Sequence, residues 1–152
     1  MDKDTFTRCI EENLDAMYRV AYTITRNEED SRDAVQESVL KAWEKRNTLR
    51  DLEAFRPWLL RILTNCCYNL LRKRKRIVSL DAVEEPSVPP PDPALEMLVQ
   101  SLPEKLRLPL MLSCAEHMTY REIASALRLP LSTVTGRIRM AKEMLRKELN
   151  EA

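Results

Sequence analysis

The chain has 152 residues, 44% hydrophobic and 32% charged, with 25 Lys and Arg against 24 Asp and Glu for a net charge of +1. That mixture describes a globular protein of one domain or two small ones, and no run approaches the ~18 apolar residues of a membrane span. The opening MDKDTFTRCIEEN is polar and acidic, without the apolar stretch of a signal peptide, so the cytoplasm is the expected compartment.

A single glycine and few β-branched alternations leave the α-helix as the only plentiful structure, so an all-α fold is expected. The four cysteines, Cys9, Cys66, Cys67 and Cys114, form no C-x-x-C, and the lone His117 has no partners at metal-ligand spacing. They read as ordinary buried or half-buried thiols, and His117 as a loop residue. There is no Ser/His/Asp set, phosphate-binding glycine loop or isolated carboxylate pair. Neither an enzyme nor a metal or cofactor site is expected.

In the first half, Val35, Val39, Ala42 and Trp43 share one helical stripe, which places Trp43 in a core. Gln36 and Glu37 of the same segment do not belong in one. A second stripe runs through Phe55, Trp58, Leu59, Ile62, Leu63, Cys66 and Leu70, making Trp58 core as well. It ends in RKRKR, residues 72–76. Such a run suits phosphate contacts, where sequence information is low and salt dependence high, or else a solvated helix end.

Five of the nine prolines then fall in EEPSVPPPDP, residues 84–93, through which helical packing cannot continue. The chain therefore divides into a helical unit at 1–78, a linker at 79–97 and a shorter helical unit at 98–152. Residues 77–104 contain no Lys or Arg but include Asp81, Glu84, Glu85, Asp92, Glu96 and Glu104. The near-zero net charge thus hides two basic units joined by an acidic tether.

In the second unit, Ser101 and Glu104 fit a capping box with Pro103 in the first turn, and Pro109 is expected to kink or interrupt that helix. A second box, Thr119 with Glu122, opens a short helix with Tyr120, Ile123, Ala124 and Leu127 on one face. The RLPL stretch breaks it, and Ser132 is placed to cap the next helix. Two short helices around a tight turn make a helix-turn-helix. Val134, Ile138, Ala141 and Leu145 form the apolar stripe of its second helix. Gly136, the chain's only glycine, falls nearly opposite that stripe. It is either an exposed helix glycine costing ~1 kcal/mol against alanine, or a mark of close approach by another molecule. Arg137, Arg139 and Lys142 flank it, as a helix entering a DNA major groove requires.

The segment SLPEKLRLPLMLSCAEHMTYREIASALRLPLSTVTGRIRMAKEML resembles the C-terminal domain of bacterial sigma factors of the extracytoplasmic-function (ECF) group, in the sigma-70 family. EEDSRDAVQESVLKAWEKR resembles that family's D-x-x-Q-E helix, and FRPWLLRILTNCCYNLLRKRKR resembles its F-x-x-W-L-x-x-I-x-x-N helix. The likeness covers nearly the whole chain, in the family's order. It implies two helical domains. The first docks on RNA polymerase core and opens the −10 promoter element; the second is a helix-turn-helix that reads the −35 element.

By position, the resemblance assigns Asp30, Asp33, Gln36, Glu37 and Leu40 to polymerase docking. It assigns the loop NTLRDLEAF, with Arg50 and Asp51, together with Asn65, to the −10 element. The Asn65 amide suits either a base edge or a helix-surface contact. Arg72, Lys73, Arg74 and Arg76 fall to the DNA backbone, and Ser132, Thr133, Thr135, Gly136, Arg137, Arg139 and Lys142 to the −35 element. Thr135 and Gly136 stand where the family often has a basic residue and serine, and Met140 where arginine is common. These departures should change what the helix reads. The acidic linker is either a tether or a polyanionic segment occupying a channel meant for nucleic acid.

The implied partners are RNA polymerase core, promoter DNA and an anti-sigma factor, the last able to hold the protein at the membrane; no small-molecule substrate is implied. Two readings of other classes stand beside this one. A stand-alone helix-turn-helix regulator would act without polymerase core, and a helical adaptor would bind only protein.

Overall fold

The computed structural model describes residues 1–77 and 93–151, and among these residues there are only helices and two short 3₁₀ turns. The chain separates into two compact units, Met1–Pro86 and Ser87–Ala152.

The first unit is a three-helix bundle. Helix α1, Lys3–Thr25, opens on Asp2, whose carboxylate accepts the Thr5 N–H at 2.8 Å and so satisfies one of the helix's orphan donors. Phe6, Ile10, Met17, Val20, Ala21 and Ile24 recur at helical spacing and are buried. Arg26, in the left-handed region at φ 55°, ends α1, and Asn27 caps helix α2, Glu28–Glu44, by accepting the Asp30 N–H at 2.9 Å. The buried face of α2 is made of small side chains, Ser31, Ala34, Val35, Ser38 and Ala42. Two 3₁₀ turns, Arg46–Thr48 and Leu52–Ala54, lead into helix α3, Phe55–Ile77.

Both tryptophans depart from the expected core positions: Trp43 and Trp58 are half-buried. They flank an aromatic cluster at one end of the bundle. Phe6 meets Trp43 edge-on with ring centroids 5.1 Å apart, and Phe55 lies between Phe6 and Trp58 at 6.2 and 5.6 Å. The Arg46 guanidinium covers the outer Trp43 face at 3.7 Å. Val39 and Leu70 are also half-buried, while Leu60, Thr64 and Cys67 join the core. Helix α3 packs against α1 and α2 together, so its buried arc is wider than a single stripe.

The second unit holds α4 (Pro93–Gln100), α5 (Glu104–Cys114), α6 (Tyr120–Leu127) and α7 (Leu131–Glu151). Helix α4 begins inside the stretch expected to be linker, so residues 93–97 are helical; residues 79–92 of that stretch lie outside the described residues. Ser101 does not cap α5. Its hydroxyl lies 2.6 Å from the Leu98 carbonyl and 3.1 Å from the Glu148 carboxylate of α7, and Pro103 occupies the cap position with no side-chain bond. Pro109 does not interrupt α5, which runs unbroken to Cys114. The missing N–H costs one intrahelical bond, and burial of Leu106, Leu108, Pro109, Leu110 and Leu112 holds the segment helical. Cys114, expected buried or half-buried, is exposed; the other three thiols are buried.

The Thr119–Glu122 capping box forms in both directions: Glu122 N–H donates to Thr119 Oγ1 at 3.1 Å, and Thr119 N–H donates to Glu122 Oε1 at 2.9 Å. On α6, Ile123 and Ala126 are the buried residues, with Tyr120, Ala124 and Leu127 at the margin. Arg128 ends it in the left-handed region at φ 56°. Helix α7 starts at Leu131, one residue before Ser132, so the expected Ser132 cap is not formed. The Pro130 carbonyl accepts the Thr133 and Val134 N–H groups instead, at 3.1 and 3.2 Å. Val134, Ile138 and Ala141 are fully buried, and Leu145 is half-buried. His117 lies in the turn between α5 and α6 at φ 55°.

Candidate nucleic-acid interface and docking face

On α2, the small inner face turns Asp33, Gln36, Glu37 and Leu40 outward, and Leu40 is 65% exposed. The Glu37 carboxylate meets the Lys41 ammonium at 3.1 Å and raises its pKa by hydrogen bonding. An exposed leucine among an amide and two carboxylates is a surface that a partner protein could cover. Asp30 is a correction to the expected docking set. It is 2% exposed, and its carboxylate is paired with Arg74 of α3.

Arg50 and Asp51 are exposed on the loop before α3, and Asp51 caps the second 3₁₀ turn by accepting the Glu53 N–H at 3.0 Å. Asn65 is half-buried, ten residues into α3, hence about 15 Å along its axis from the helix start. Beside the loop is an open cleft whose lining residues are distant in the chain, so no local pattern announces it. There the Asn13 Nδ2 donates to the Cys9 carbonyl at 2.8 Å, and Arg56 donates to Asn13 Oδ1 at 3.1 Å.

The basic run divides by residue. Arg72 turns back onto its own helix, donating to Asn69 Oδ1 at 2.9 Å, and Lys73 is exposed. Arg74 faces α2 and Asp30. The Arg76 side chain lies outside the described residues.

On α7, Ser132, Gly136, Arg139, Met140 and Lys142 are exposed, whereas Thr133, Thr135 and Arg137 are half-buried. At about 100° per residue, Ser132 and Met140 stand within about 40° of Gly136. Arg137 and Thr135 lie near the two margins of that face, and Lys142 lies farther round. Thr135 Oγ1 donates to the Leu131 carbonyl at 3.0 Å, which occupies its hydroxyl within the helix. A Cβ placed on Gly136 would meet nothing within 4 Å, so no packing among the described residues requires glycine there. Glu143, also exposed on this face, was not among the expected residues.

Among the described residues no group of His, Cys, Asp and Glu could hold a metal ion, and no helix is long and apolar enough to cross a membrane.

Comparison with known proteins identifies two segments of the chain. Residues 9–77 match the family description Sigma-70 region 2, and residues 93–145 match Sigma-70, region 4. The ECF RNA polymerase sigma factor SigW of Bacillus subtilis is 26% identical, over 99% of this chain and 91% of that protein. The ECF RNA polymerase sigma-E factor of Haemophilus influenzae is 31% identical, over 86% and 82%. The solved structure of the sigma factor RpoE with the anti-sigma factor NepR, from Bartonella quintana, superposes with a TM-score of 0.77 at 22% identity, covering 96% of this chain and 97% of that one. With both regions present in the family's order, and a relative of this identity aligned over most of its length, the chain belongs to the sigma-70 family, in the ECF group of sigma factors.

Proposed function

We propose that this protein binds RNA polymerase core and directs promoter-specific initiation of transcription. The observation that carries the reading is the pairing, in one chain, of a region 2 bundle with a region 4 helix-turn-helix. In this reading residues 1–78 dock on the polymerase and engage the −10 element, residues 98–152 read the −35 element, and 79–97 connect them. Asp33, Gln36, Glu37 and Leu40 form the docking face. Arg50, Asp51, Asn65, Arg72, Lys73 and Arg76 serve the −10 region, and the α7 face around Gly136 serves the −35 element. The protein performs no chemistry of its own and works in the cytoplasm. An anti-sigma factor is a further partner, as it is for the Bartonella quintana protein of similar fold.

Run-off transcription tests this with purified core polymerase on a genomic promoter library, with and without the protein. New transcripts from a defined promoter set are expected. Their absence, with DNA binding unaffected by core, would leave the stand-alone regulator as the better description.

A further inference from the structure

Asp30 lies in the first turn of α2 at 2% exposure, where an unpaired carboxylate would be costly. Its surroundings are fixed. Asn27 accepts its N–H, Ser31 Oγ donates to the Asn27 carbonyl at 2.8 Å, and Ser31 Oγ and Thr25 Oγ1 share a hydrogen bond of 2.8 Å. The group it meets, the Arg74 guanidinium, belongs to the exposed end of α3, which finishes three residues later at Ile77. The Arg74 side chain is 45% exposed, so it leans from the rim of the bundle back onto the buried carboxylate. A residue that sequence pattern alone places among phosphate contacts is thus held by its own fold.

We infer that the Asp30–Arg74 pair is a positioning clamp: it keeps the last turn of α3 helical, so that the basic residues carried there meet DNA already ordered, and Arg74 is not itself a phosphate contact. This rests on the promoter-binding reading. The two roles leave different thermodynamic marks. A segment that must order on binding raises the apparent Kd in inverse proportion to its ordered fraction. The bound contacts survive, so the number of released counterions does not change. A residue that touches a phosphate removes roughly 0.7–0.9 from the log–log salt slope when it is neutralised.

The test uses the full-length chain in holoenzyme, titrated at several salt concentrations onto a promoter fragment recovered from the run-off experiment. Arg74→Gln, Asp30→Asn, their combination, Arg74→Lys and Lys73→Gln are compared. Amide hydrogen exchange of residues 72–77 is read in the chain without polymerase. Arg74→Gln and Asp30→Asn should each weaken binding about tenfold at every salt concentration if the ordered fraction falls to about one in ten. Their slopes should match the parent protein, the combination should be no worse than either alone, and exchange over 72–77 should quicken in all three. Arg74→Lys should recover part of the loss, while Lys73→Gln should lower the slope by roughly 0.7–0.9. A slope reduced in Arg74→Gln as in Lys73→Gln would overturn the clamp, as would Asp30→Asn binding as tightly as the parent or more so. Arg74 is at the surface, so its variant decides the question even where Asp30→Asn fails to fold. A parent holoenzyme that initiates nowhere would instead refute the promoter reading on which the clamp rests.

Discussion

Substituting Gly136 separates what this residue does for the helix from what it does for a partner. It lies inside α7 with its Cβ direction open to solvent, since nothing stands within 4 Å of an added Cβ. Gly136→Ala therefore brings neither clash nor new burial, and the full difference in helix propensity should appear as about 1 kcal/mol of added stability. For a unit the size of Ser87–Ala152, that corresponds to a Tm higher by about 4–8 °C. Gly136→Leu should keep most of this gain, because leucine is also a strong helix former and projects away from Val134, Ile138 and Ala141. Its bulk would, however, stand in the middle of the face formed with Ser132, Arg139 and Met140. The assay pairs thermal denaturation followed by circular dichroism with transcription from promoters whose −35 element is intact or scrambled. The leucine variant should melt no lower than the parent and lose the advantage of the intact element. If it is stable and still fully dependent on that element, no partner approaches this face closely and Gly136 is an ordinary exposed residue. If alanine gives no gain in Tm, glycine at this position does not weaken α7.

The remaining predictions address docking, helix capping and the thiols. Gln36→Ala with Glu37→Lys should leave helicity unchanged, since the exposed Glu37–Lys41 pair contributes only a few tenths of a kcal/mol. The same variant should weaken core-polymerase binding by at least about tenfold, because charge reversal adds repulsion to a lost contact; an unchanged titration would remove this face. Thr119→Ala takes away the acceptor of the Glu122 N–H and should cost about 1 kcal/mol in chemical denaturation. A loss below a few tenths would show that the cap is dispensable. Alkylation at pH 8 followed by mass spectrometry should modify the native chain once, at exposed Cys114. Cys9, Cys66 and Cys67 are buried, and burial pushes the Cys67 thiol up to about 12, so it stays protonated and unreactive. Modification of all four thiols under native conditions would contradict this packing.

What the sequence determined by itself was whatever depends on neighbours within a few residues. One glycine, a proline-dense stretch and apolar residues at helical spacing are enough for an all-α chain in two units. The Thr119–Glu122 box is legible because both of its bonds close within one turn, and the outward place of Gly136 follows from helical geometry alone. Reading fails where distant segments compete for a residue. Ser101 looks like a cap locally but is claimed by Leu98 and by Glu148 of α7. Pro109 looks like a breaker, yet buried packing holds α5 through it. Trp43 and Trp58 fit apolar stripes, but only the assembled bundle decides that the Phe6–Phe55 contact takes the interior and leaves the indoles at its edge. The same holds for the candidate surfaces. The resemblance placed Asp30 beside Gln36, and the basic run placed Arg74 beside Lys73; in the folded bundle Asp30 and Arg74 are instead paired with each other. A buried carboxylate takes its counter-charge from whichever helix packs against it, and no local spacing encodes which one that is.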